Sequence, residues 1–128
     1  MNKKLTITEL IDKKEQYVLK QDVKKELYLE QLDATLTIIK PERELVIDTI
    51  EKGSDENFDG NSDEFFVYNI VVEPNLKDPE LQKAYGCVDP TEIVSKIFDV
   101  GTVAGIAQAG MDLAGFSSKV EAVKNLKN

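Results

Sequence analysis

No histidine occurs among the 128 residues, and cysteine occurs once, as Cys87. Histidine is the side chain most used to move protons near neutral pH. Its absence removes Ser-His and Cys-His nucleophile pairs and every zinc site that needs an imidazole. A lone cysteine makes no internal disulfide, which fits a reducing cytosol. No apolar run reaches the roughly 18 residues that would span a bilayer without charge. The opening MNKKLTITEL has lysines but no apolar core behind them, so it does not read as a secretion signal. A glycine-rich phosphate cradle is missing too. These absences point away from an enzyme, from cofactors and metals, and from a membrane protein.

Positive charge is scarce: 16 Lys and Arg stand against 24 Asp and Glu, a net charge of −8. Such a chain has no general attraction to nucleic acid or to anionic lipid, and favours partners with basic or apolar surfaces. Hydrophobic residues make up 41%, below the globular average but well above disordered compositions. At this length the expectation is one domain over residues 1–128, with 117–128 as a polar, flexible C-terminal tail.

Along the chain, Thr6 or Thr8 caps a short helix through TELIDKKEQ. Alternating, β-branched runs on either side of QLDA predict a β-hairpin at about 24–40. Pro41 is expected as the first residue of a helix that Gly53 ends. After an acidic loop, a helix is predicted from about Asp63 to Val72, broken before Pro74. Asp78 with Pro79, and Asp89 with Pro90, each open a further helix, and Asp99 opens the last strong one. The expected fold class is α+β, mainly α-helical, with several short helices and one N-terminal hairpin.

Two segments have a sharper reading to weigh. DENFDGNSDEFF, residues 55–66, opens like a calcium loop with Asp55, Asn57, Asp59 and Gly60. The twelfth position of such a loop needs a bidentate carboxylate, and here it is Phe66. A solvated turn uses the same Asp, Asn and Gly residues, and that is the expectation. DVGTVAGIAQAGMDLAGF, residues 99–116, is rich in glycine and alanine. Each interior glycine costs a helix up to about 1 kcal/mol relative to alanine. Small residues let another helix approach closely, either inside the domain or on a partner.

The stretch from Phe66 to Phe116 resembles a known family. Val71, Val72, Glu73, Pro74, Asn75 and Leu76 are similar to its Val-Val-Glu-Pro-Asn-Leu core. Glu80, Leu81 and Gln82, then Tyr85, Gly86 and Pro90, follow at the usual spacing. Ile97, Phe98 and Gly101 open the apolar helix, and Gly115 and Phe116 close it. The family is that of the tail assembly chaperones of Gram-positive phages, prophages and phage-tail-like particles. The last helix here is richer in glycine and alanine than the family's.

The resemblance implies a non-catalytic protein without cofactor. It implies a chaperone that binds and solubilises the tape measure protein, promotes tail tube assembly, and is then released. Its partners would be the tape measure protein and the tail tube protein, with self-association along the client as a further expectation, and neither nucleic acid nor membrane. It would act in the host bacterial cytoplasm and be absent from the mature particle. The alternative is a structural component of a tail or tail-like particle. The partner-binding candidates are Phe65, Phe66, Tyr68, Val72, Leu76, Tyr85, Ile97, Phe98, Val103, Ile106, Met111 and Phe116.

Overall fold

A computed structural model describes residues 3–123. In chain order the elements are α1 (Ile7–Asp12), α2 (Lys14–Tyr17), β1 (Lys24–Leu29), β2 (Ala34–Ile39), α3 (Arg43–Ser54), α4 (Ser62–Ile70), β3 (Val71–Glu73), α5 (Pro79–Ala84), α6 (Glu92–Ile97) and α7 (Val100–Leu113). Residues 117–123 carry neither helix nor strand and are exposed; the rest of the expected tail, 124–128, lies outside the described residues.

The expected fold class needs correction. Helix takes 47% and strand 12%, and the strands form one antiparallel three-stranded sheet rather than a lone N-terminal hairpin. The order is β1-β2-β3, so β1 and β3 are the edges. The additional strand is Val71–Glu73, where the helix from Asp63 was expected to continue to Val72. The chain instead leaves the helix at Ile70, and Val71 turns extended, at φ −75° and ψ 117°. Two reasons act together. Pro74 disfavours helical geometry in the residue before it, and paired β-branched valines favour a pleated surface. Val71 then pairs with Ile38 and Glu73 with Thr37, across an irregularity in β2.

In the β1–β2 pair, Leu27 lies opposite Leu36, and Leu29 opposite Ala34. The period of two therefore puts Leu27, Leu29, Leu36 and Ile38 on one face. Leu29, Leu36 and Ile38 are buried there. The turn is fixed at Asp33, which takes a left-handed φ of 46° and accepts a 2.7 Å hydrogen bond from the Tyr28 hydroxyl. Gln31 ties this turn to the helices: its Nε2 donates to the Ile97 carbonyl, and its Oε1 accepts from the Asp99 N–H.

Helix α4 is the centre of the molecule and packs on α3, α6 and α7. It begins at Asn61, whose side chain accepts from the N–H groups of Asp63 and Glu64, two of the donors a helix start leaves free. Its inner residues Phe66, Val67 and Ile70 are fully buried. Opposite them on α7 stands Gly110. A Cβ there would lie 2.5 Å from Ile70 Cδ1 and 2.8 Å from Phe66 Cε2. Glycine is thus what lets α7 close on α4. Leu76, Ile93, Val94, Phe98, Val103 and Ile106 complete the core on this side.

Helices α5 and α7 stop by the same device. Gly86 and Gly115 sit at φ +65° and +101°. The N–H groups of Gly86 and Cys87 return to the Lys83 and Gln82 carbonyls, and those of Gly115 and Phe116 to Asp112 and Met111. This doubly bonded C-terminal turn needs a left-handed residue, which glycine supplies without strain. Pro41 does not open α3: Glu42 is still extended at ψ 154°, and the helix starts at Arg43 and runs through Gly53.

Candidate functional site

The acidic loop is a latched turn over 55–61, and residues 62–66 of the calcium-loop-like stretch already belong to α4. Asp55 Oδ1 accepts from the Asn57 N–H, and Asn61 Oδ1 caps α4. Lys52 Nζ stands 5.3 Å from the centre of the Phe58 ring and 4.8 Å from that of Phe65, within cation–π range of both. Gly60 makes room for Phe58, since a Cβ there would meet the ring at 2.7 Å. Among the described residues, no group of three or more His, Cys, Asp or Glu side chains is placed to hold a metal ion. Nor is any helix of the described residues long and apolar enough to cross a membrane.

The twelve candidate residues divide by depth. Phe66, Leu76, Phe98, Val103 and Ile106 are core residues with almost no exposed surface. Phe65, Tyr68, Ile97 and Met111 are half-buried, and Val72, Tyr85 and Phe116 are exposed. Phe65 is capped by Lys52. Tyr68 lies under Lys77, whose Nζ is 5.2 Å from the ring centre. Burial raises the Tyr68 hydroxyl above its ordinary pKa, helped by the nearby Asp89 carboxylate. The twelve therefore do not form one surface. The stretch of family resemblance that supplies nearly all of them runs through the core and the outer face alike.

Apolar side chains converge on the surface at another place. Leu19, Val46, Ile47, Ile50, Ala114 and Phe116 line a groove of about 300 Å³, with Lys40, Pro41 and Arg43 at one end. Leu19, Ile47, Ile50 and Phe116 are between 47% and 64% exposed, so this apolar area faces solvent. Of these residues only Phe116 was a candidate from the sequence. Ile47 and Ile50 sit three apart on α3, flanking the face on which Val46 and Thr49 are buried. The signal in the sequence is that apolar residues on α3 spread beyond one face, from Leu45 and Val46 to Ile47 and Ile50.

A second concavity separates the β1 edge from α7, lined by Leu27, Tyr28, Leu29, Thr102, Gly105, Ile106 and Ala109 among others. A Cβ added at Gly101 or Gly105 would have none of the atoms of the described residues packed against it within 4 Å. The small residues of α7 thus serve two faces: Gly110 is needed for internal packing, whereas Gly101 and Gly105 face open space.

The family described as "Phage XkdN-like tail assembly chaperone protein, TAC" matches residues 8–127 of the chain. No curated protein and no solved structure matches it significantly.

Proposed function

The chain belongs to the phage XkdN-like tail assembly chaperone family, and from that premise we propose that it binds and solubilises the tape measure protein, promotes tail tube assembly around it, and is then released. A tape measure protein would be met as a long amphipathic helical client. The observation that supports this reading is the solvent-facing groove of Leu19, Ile47, Ile50, Ala114 and Phe116 on a protein of net charge −8. An amphipathic helix lays its apolar face into such a groove. The surrounding acidic coat keeps the complex dissolved and apart from others of its kind. Modest contacts repeated along a long client give stable coating through multivalency.

Within the sequence-derived candidates, Phe116 belongs to this groove, and Val72 and Tyr85 offer further exposed contacts. Phe65, Tyr68, Ile97 and Met111 offer partial ones. Phe66, Leu76, Phe98, Val103 and Ile106 act on the client only by holding the scaffold. The host cytoplasm is the proposed site of action, with the protein absent from the finished particle.

Co-expression with the tape measure protein of the same phage tests the reading. Wild-type chain should keep that client soluble and co-purify with it, and Ile50→Asp should lose both effects while staying folded. A client that remains insoluble and unbound beside the wild-type chain would sink the proposal. Mass spectrometry of purified particles checks release, and finding the chain there in stoichiometric amount would favour a structural component.

A further inference from the structure

The segment ahead of β1 is built differently from the rest. Thr6 caps α1 by accepting from the Glu9 N–H. The Glu9 carboxylate accepts from the Lys3 ammonium and takes a 2.5 Å bond from the Tyr17 hydroxyl. These contacts stitch α1 to α2 and make residues 3–18 a preformed hook. They lie on its polar side, because Ile7, Leu10 and Ile11 share the opposite face at 100° per residue.

Little among the described residues covers that apolar face. Neither helix of the hook has a buried residue, and its main packing is between its own two helices. Leu5, Ile7, Leu10, Ile11, Tyr17 and Val18 are 40% to 77% exposed. A stitched amphipathic hook that leaves much of its apolar side in water gains free energy by covering it.

The cover within reach is the groove on α3. Leu19, the next residue after the hook's apolar run, already lines it beside Ile47, Ile50 and Phe116. Lys40 Nζ holds the Lys20 carbonyl at 2.9 Å, which fixes the hinge at the groove's edge. Seven residues lie between Ile11 and Leu19, a short tether that keeps the hook beside the groove. Tethering makes this a high effective concentration of one surface at the other.

We propose that the N-terminal hook is a strap that folds over the α3–Phe116 groove and competes with the client for it. The hook presents the same kind of apolar stripe that a helical client would. Closure shields the groove while the protein is unloaded, and a client must displace the strap to bind. This inference rests on the groove being the client site.

The test uses the full chain and a labelled synthetic 20-residue amphipathic helix with leucine at i, i+3, i+4 and i+7. Leu10→Ser with Ile11→Ser removes the competitor, so the peptide should bind about threefold tighter or more, as for a site that is open about a third of the time. In a Cys87→Ser background, Ile11→Cys with Ile47→Cys should oxidise to an internally linked monomer. Unchanged or weaker peptide binding by the Ser variant overturns the strap, and so do disulfide-linked dimers, which would mean that a second copy's hook fills the groove. If Ile50→Asp leaves peptide binding unchanged, the groove reading itself falls, so the two failures are distinguishable.

Discussion

The α4–α7 contact and the N-terminal hook contain the same kinds of residue and use them in opposite ways. In the first, Phe66, Val67, Ile70 and Ile106 are almost wholly withdrawn from water, and a glycine allows the helices to close. In the second, Ile7, Leu10 and Ile11 form an equally regular stripe that touches no core. An apolar stripe therefore states only that a helix has something to cover. Whether the cover is the chain's own interior depends on the facing surface, here on Gly110 and the sheet behind it. The hook has no such partner among the described residues, and the contacts that join its two helices are polar ones around Glu9.

The largest effect that follows is at Phe66. Phe66→Ala should cost about 3–5 kcal/mol, the range for emptying a buried aromatic site, read as a lower urea midpoint with the slope kept. Ile11→Ala in the hook should change stability by less than about 1 kcal/mol. A loss near that of Phe66→Ala would break the comparison, since it would mean that the hook is packed into the core at equilibrium.

A second comparison runs along one helix. Gly110→Ala places a methyl group against the Phe66 ring and Ile70 Cδ1. Overpacking costs typically about 1–3 kcal/mol, only partly offset by the better helix propensity of alanine. Gly105→Ala meets open space and should stabilise by about 0.5–1 kcal/mol. Opposite signs at positions five apart on α7 would show that the two faces have separate reasons for their glycines. Equal signs would mean that the close approach of α4 to α7 relaxes freely.

How far the sequence foretells this can be judged from particular residues. The caps at Thr6, Asn61, Asp78 and Asp99 are readable because a short polar side chain satisfies the free N–H groups of a helix start, whereas Asp89 turns its carboxylate to Thr91 and α6 begins only at Glu92. The stretch 71–73 is not. An apolar run of that length suits a buried helix turn or a short strand, and periodicity alone does not separate them. Pairing with Ile38 decides it, and that contact is remote in sequence. The groove escapes a sequence reading for a related reason. Ile47 and Ile50 lie beside Val46 and Thr49 on α3, and only packing tells which pair faces inward. Phe116 was a candidate because it closes the family's apolar helix. Its neighbours Leu19 and Ile50 come from distant segments.

The smallest effect is at Asp99, where the hook-like and core-like ways of holding a helix meet. Asp99 begins α7 by accepting from the Thr102 N–H at 3.0 Å, while its own N–H donates to Gln31 Oε1. The bonds from Thr102 hold its carboxyl below the ordinary carboxylate value. A group depressed in the folded state lends stability that is present above its unfolded pKa and is lost as pH falls through the folded one. The group is solvent-facing, so the contribution is small. Asp99→Asn keeps an acceptor for Thr102 but cannot titrate. It should therefore leave the fold nearly as stable at pH 7 and flatten part of the decline below about pH 4. A decline unchanged in Asp99→Asn would assign the acid sensitivity to other carboxylates. Glu9, at the surface of the hook, is the first to examine, because Lys3 and the Tyr17 hydroxyl lower its pKa in the same direction.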